Sequence, residues 1–196
     1  GKCMMDSDDE VPRRLREQTS ASIDESLALM KRWNGAANGR LRGAFAPRFA
    51  VSCSRELLEA VSDLSVRQSA LVHTHASENR DEVEVVRHLS GGFSNLEYLA
   101  DTGLATSHLC VAHCVWVTDR EQELLAERDV KVLHCPGSNL KLGSGIAPVA
   151  KMRRRGICVS LGADGAACNN RLDMFEEIRL AAALQAVCEV PGALSA

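Results

Sequence analysis

This 196-residue chain has no cysteine pairs at CxxC spacing, no glycine-rich phosphate loop, few aromatics and no long apolar run. Each absence excludes something. The eight cysteines (Cys3, Cys53, Cys110, Cys114, Cys135, Cys158, Cys168, Cys188) form no small-domain disulfide framework. Several lie in apolar strand-like runs, where a free thiol behaves as a small hydrophobe, so a reducing, cytoplasmic compartment is expected. One Tyr and two Trp leave few stacking platforms, and a net charge of −3 offers nothing to a phosphate backbone or an anionic membrane. No nucleic acid or membrane partner is expected. No apolar run approaches the ~18 residues of a membrane span, and no signal peptide is expected. The chain opens on Gly1-Lys2 and closes on Leu194-Ser195-Ala196, which reads as a piece of a longer protein. Neither GxGxxG nor GxxxxGK[ST] occurs, which counts against a doubly wound nucleotide-binding sheet.

What is there centres on Leu71-Val72-His73-Thr74-His75-Ala76-Ser77-Glu78-Asn79-Arg80. It reads as an apolar strand running into two histidines, then a turn with a glutamate, then a charged helix. Side chains alternate along a strand, so His73 and His75 point the same way. An imidazole beside a carboxylate at a strand's carboxyl end suits a metal-bound water and a proton carrier. The competing reading is a core strand followed by a helix-capping Glu78.

The rest of the chain repeats the pattern. A short strand tail at 1–5 leads into an acidic loop over 6–12, and Ser22 to Trp33 has helical period through Ile23, Leu27 and Met30. A strand spans Leu41 to Phe49, and a helix capped by Ser54 carries Leu57, Leu58, Val61 and Leu64 on one face. Helical turns follow at 81–89 and 96–100. Three more strand–helix units begin at Leu109, Val130 and Ile157, with Pro136 to Gly145 read as a loop, and the last helix spans Leu172 to about Val187. Five strands are clear and a sixth is expected at the amino end. Strands alternating with helices imply parallel pairing. The fold class expected is α/β, an incomplete (β/α)8 TIM-type barrel in which residues 1–196 form one partial domain.

In such folds functional groups gather at the strands' carboxyl ends. Here those ends carry Arg48, His75 with Glu78, His113, His134 and Asp164, a succession that core packing alone does not explain. His113-Cys114 and His134-Cys135 do not read as structural zinc sites, because adjacent strand residues face opposite ways and C-x₂₋₄-C spacing is missing. The Pro-Cys-x-x-Cys signature of the small zinc deaminases is also absent. Asp164 lies between Gly162 and Gly165 in a turn, and Asn170 or Asp173 reads as the cap of the last helix.

His-Thr-His-Ala-Ser-Glu-Asn (73–79), Ala-His-Cys-Val-Trp (112–116), His-Cys-Pro-Gly-Ser-Asn (134–139) and Leu-Gly-Ala-Asp-Gly (161–165), in this order, resemble the amidohydrolase superfamily. The branch is the one holding cytosine, guanine, adenosine-type and chlorotriazine hydrolases. The resemblance implies that His75 is the metal-binding histidine of the fifth barrel strand and Glu78 the proton carrier. It implies that His113, on the sixth strand, polarises substrate and orients the attacking hydroxide. Asp164, on the eighth, would ligate the metal and take the water's proton, while His73 matches no ligand position. One divalent metal ion is implied, zinc or else iron, and the family is commonly oligomeric. The family's first-strand His-x-His pair is expected about 100 residues or more upstream of His75, so this polypeptide alone should bind metal poorly and be inactive. The family's small β-sandwich, built from both termini, is expected to lie outside this sequence. The chain's five lysines (Lys2, Lys31, Lys131, Lys141, Lys151) all lie away from the fourth strand's end, which argues for one metal and for deamination over cyclic-amide hydrolysis.

The segment 46–53 and the stretch 77–83 resemble guanine deaminases, in which an arginine matching Arg48 reads the purine's carbonyl edge. The segment 164–177 instead resembles deaminases of thiomethyladenosine, adenosylhomocysteine and deoxyadenosines. The motifs agree on an aminopurine substrate with water and disagree on which one. The alternatives are a hydrolase of cytosine, oxoguanine or triazines, and a catalytically dead homologue acting as a binding module.

Overall fold

In the computed structural model, which describes residues 1–7 and 11–194, six parallel strands lie side by side in chain order. They are β1 (Cys3–Met4), β2 (Ala44–Pro47), β3 (Leu71–Ala76), β4 (Leu109–His113), β5 (Lys131–His134) and β6 (Val159–Leu161). The helices are α1 (Thr19–Trp33), α2 (Arg55–Gln68), α3 (Arg80–Leu89), α4 (Asn95–Asp101), α5 (Asp119–Glu127), α6 (Pro136–Lys141), α7 (Val149–Arg154) and α8 (Met174–Cys188). A parallel sheet whose strand order never reverses is the wall of a barrel and not a doubly wound sheet. The architecture is therefore a partial α/β barrel. The expected amino-terminal strand is present as β1. The acidic loop expected over 6–12 lies partly outside the described residues.

The period-2 pattern sorts the strands' two faces. Met4, Phe45, Val72, Leu109, Val111 and Val132 are each 1% exposed or less and pack with Leu57, Leu58, Leu99, Leu125 and Met152 beneath the helices. The other face carries Ala44, Ala46, His73, His75, Cys110, Ala112, Leu133 and Ser160, which apart from Leu133 are small or polar residues that suit a lumen. Helix starts follow local capping chemistry. Ser54 accepts from the Leu57 amide, Asn79 from Glu82, Thr118 from Glu121 and Asp173 from Phe175. Asp6, at the end of β1, accepts from Thr19 Oγ1, Ser54 N and Ser54 Oγ, each at 2.6 Å, and so pins the starts of α1 and α2.

Two elements differ from the sequence reading. The buried seam of α1 runs through Ser22, Ser26 and Met30, with Ile23 and Leu27 only partly covered. The segment read as a loop from Pro136 contains α6, which Pro136 can open because the first helical position needs no amide. No described helix is long and apolar enough to cross a membrane.

Candidate active site

Strand β3 alternates as its sequence dictates. Val72, Thr74 and Ala76 are buried beneath the helices, and His73 and His75 share the lumen face with ring centroids 5.8 Å apart. His75 is anchored from the neighbouring strand's end: the carbonyl oxygen of Arg48 accepts from the His75 backbone amide at 3.1 Å and from Nδ1 at 2.8 Å. A neutral imidazole has one donor and one acceptor nitrogen. Spending Nδ1–H on a backbone carbonyl leaves the Nε2 lone pair free, the arrangement of a metal-ligating histidine with its supporting partner. Burial, with His113, His73 and Arg48 adding to it against the Arg48 carbonyl, holds His75 down at about 4. It stays neutral, as a ligand must. The Arg48 side chain is exposed and lies over Phe49, whose ring meets His75 edge-on at 4.9 Å.

Beyond β3 the chain turns sharply at Ser77, which has φ of +54°. The turn aims the amides of Ser77 and Glu78 at the buried carboxylate of Glu82, at 3.0 and 2.7 Å, and Asn95 Nδ2 donates to it as well. Burial raises the Glu82 pKa against those donors. Because Asn79, and not Glu78, caps α3, the Glu78 side chain is free for other work. Its Oε1 accepts from Ser144 Oγ at 3.3 Å, and its Oε2 lies 3.6 Å from His113 Nε2. The glutamate's capping alternative is thereby removed.

His113 ends β4 with φ of +72° and is 1% exposed. Its ring stacks on that of His75, with centroids 5.4 Å apart and planes 22° apart, and Nδ1 meets Asn139 Oδ1 at 2.8 Å. Cys114 instead sits in the core at 0% exposure, where burial drives its thiol pKa up. Asp164, at φ +60° just past β6, accepts from Ser138 Oγ at 2.6 Å and from the Gly165 amide at 2.7 Å. Burial pushes its carboxyl upward. The two donors and the field of His113 and His75 outweigh that, and the net shift is downward.

Glu78, His113, His75 and Asp164 are thus linked by contact or field, with Arg48 on the rim. His134 feels the field of His113 but makes no hydrogen bond to the group: it follows the parity of buried Val132, is 1% exposed, and neither ring nitrogen has a partner among the described residues. Burial holds it near 4. Sequence reasoning missed Ser138, Asn139, Ser144 and the Arg48 carbonyl. The Ser-Asn pair was visible in the motif at 134–139 but lay in a segment read as a loop, and a backbone acceptor leaves no residue-type signal. Among the described residues no three His, Cys, Asp or Glu side chains are arranged to hold a metal ion. His75 Nε2, with its Nδ1–H spent on the Arg48 carbonyl, and the Asp164 carboxylate each have donor chemistry that could ligate a cation.

The amidohydrolase family model matches residues 1–193. A 5'-deoxyadenosine deaminase of Methanothermobacter thermautotrophicus is 45% identical over 181 residues, covering 92% of this chain and 42% of that protein. A 5-methylthioadenosine/S-adenosylhomocysteine deaminase of Pelotomaculum thermopropionicum is 43% identical over 166 residues, covering 85% of this chain and 38% of that protein. The chain therefore spans about two-fifths of the length of these relatives. Among solved structures, a guanine deaminase of C. acetobutylicum with bound guanine has a TM-score of 0.89 at 29% identity, covering 98% of this chain and 46% of that one. An adenosine deaminase of Xanthomonas campestris with bound zinc also has a TM-score of 0.89, at 31% identity, covering 98% and 43%.

Proposed function

The chain belongs to the amidohydrolase family, and on that premise we propose that it carries the proton-transfer half of the active site of a metal-dependent aminohydrolase acting on an aminopurine. The observation that carries the reading is the grouping of Glu78 with His113, and of His113 with His75, at the ends of two adjacent parallel strands. Residues 1–196 are one part-barrel domain in this reading. The remaining ligands come from a His-x-His pair upstream, and the working protein is a cytoplasmic homo-oligomer.

His75 Nε2 and Asp164 would hold one divalent cation, zinc in preference to iron. When bound, the cation supplies a Lewis acid that lets water ionise near neutral pH. Asp164 takes the proton of the attacking water. His113 holds its oxygen through Nε2 against the ring carbon that bears the amine. Glu78 protonates the ring nitrogen, then takes the proton of the newly added hydroxyl while the proton held by Asp164 passes to the departing amine, so both carboxyl groups return to their starting states. One C–O bond forms, one C–N bond breaks, ammonia leaves, and nothing is oxidised.

The identities to adenosine-type deaminases favour an adenosine-type nucleoside. Arg48, exposed at the carboxyl end of β2, keeps guanine as a second reading, since a guanidinium fork matches a purine carbonyl edge. The test is ammonia release by the full-length enzyme across 5'-deoxyadenosine, 5-methylthioadenosine, S-adenosylhomocysteine, guanine, cytosine and a triazine. Release from the adenosine group supports the first reading and release from guanine the second. Turnover of cyclic amides alone, or of nothing, overturns both, the latter leaving a binding module.

A further inference from the structure

Ser138 and Asn139 are adjacent in α6, 0% and 1% exposed, and each reaches a different proposed catalytic group. Ser138 Oγ donates to Asp164 Oδ2 at 2.6 Å, and Asn139 Oδ1 accepts from His113 Nδ1 at 2.8 Å. Successive helical residues diverge by about 100°. Two neighbours on one short helix can therefore touch the strand end on either side, β4 and β6, while α6 itself follows β5 in the chain. We propose that Ser138 and Asn139 are a paired positioning device that holds Asp164 and His113 in one fixed geometry. The proposal rests on the reading of those two residues as catalytic groups.

The helix bearing the pair is itself fastened. Glu177 of α8, 1% exposed, accepts from the Gly137 amide at 2.9 Å through Oε2 and from Asn169 Nδ2 at 2.7 Å through Oε1. Asn169 Nδ2 also donates to the Ala163 carbonyl at 3.0 Å, next to Asp164. The α6 turn and the Asp164 loop thus hang from one buried carboxylate. A Cβ on Gly137 would come within 2.5 Å of Glu177 Oε1 and 2.6 Å of Asn169 Nδ2, so any side chain there would displace one or both of these groups. The chemical consequence lies at His113. With Nδ1–H given to Asn139, the Nε2 lone pair faces Glu78 and can accept a hydrogen bond from a water. Without that acceptor the ring is free to take the opposite tautomer and to turn.

The test uses the full-length, metal-loaded enzyme with nitrogen-15-labelled histidine, the His113 signal being assigned by its loss in His113→Gln. The parent should show His113 protonated at Nδ1, a measurement that needs no substrate. Asn139→Leu, close in volume, should lose that signature and lower kcat about 10- to 100-fold with KM within about threefold. Asn139→Asp, which keeps the acceptor, should restore the signature and at least tenfold of the lost rate. Ser138→Ala should lower kcat on the same scale, and Ser138→Thr should recover it. Protonation at Nε2 in the parent overturns the proposal even if Asn139→Leu does not fold. So does a parent-like tautomer and kcat in Asn139→Leu. Full activity in Glu78→Gln would overturn the reading of the site itself. Loss in Glu78→Gln beside parent-like rates in the Asn139 and Ser138 variants overturns the positioning device alone.

Discussion

The rings of His75 and His113 stack 5.4 Å apart, yet the β3–β4 register pairs His75 with Ala112 and Ala76 with His113. Strict alternation would place His113 under the helices, with Val111. The left-handed backbone at His113 and at Cys114, φ +72° and +48°, ends the strand there and swings the imidazole round to the lumen side. Ser77 and Asp164 bend the same way beside the other site residues. Such conformations cost about 1–3 kcal/mol each and persist only where surrounding structure enforces them.

Glu78→Gln in the full-length enzyme should cut kcat for ammonia release by about 10²- to 10⁴-fold, because the amide cannot carry the proton. Metal content should be unchanged, since Glu78 is not among the ligands. Steady-state kinetics with elemental analysis checks both, and near-parent turnover would remove Glu78 from the mechanism.

Arg48→Ala separates two functions of one residue. The carbonyl that anchors His75 is backbone and survives the substitution, so metal content should hold. Losing the guanidinium should lower kcat/KM about tenfold or more, the worth of a hydrogen bond to a charged group. Metal loss in this variant would show that the side chain matters to the anchor.

Ser77→Val should destabilise the protein by about 2 kcal/mol or more, because a β-branched side chain is strained at φ +54°. Ser77→Gly should be close to neutral. Glycine accepts that conformation, and the buried Ser77 hydroxyl has no partner among the described residues to lose. Urea unfolding of the pair should show the asymmetry; equal losses would place the cost elsewhere.

Burial holds His134 at about 4, below its ordinary 6.5. The folded protein therefore binds fewer protons there than the unfolded chain between those values. The stability that neutral His134 contributes is present above about 6.5 and is lost as the pH falls toward 4, by up to about 3 kcal/mol. Denaturant midpoints measured from pH 7 to pH 4 should fall more steeply in the parent than in His134→Leu. Parallel curves would mean that His134 is not held neutral by the fold.

Much of this was legible along the chain. Period-2 and 3.6 patterning placed the strands and most helices, and Ser54 was readable as a cap because an N-cap is a local side-chain-to-amide bond. Helix α6 was not, because Pro-Gly-Ser-Asn has loop composition and what holds those residues as a helix is Glu177, forty residues away. Nor did the sequence reading settle the role of Glu78, whose capping alternative falls only because Asn79 caps α3 and the Glu78 carboxylate reaches Ser144 and His113.

The sequence by itself determined an α/β barrel segment, the family resemblance, and the residue types at the strand ends: His75, Glu78, His113 and Asp164. Periodicity suffices for the barrel segment, and the four motifs at 73–79, 112–116, 134–139 and 161–165 carry the resemblance. Tertiary structure alone decided that Arg48 serves His75 through its carbonyl, that His113 escapes alternation to stack on His75, and that Ser138 and Asn139 reach both His113 and Asp164. Each of these depends on a backbone conformation or on strand neighbours far apart in sequence, and such contacts leave no periodic trace along a single chain.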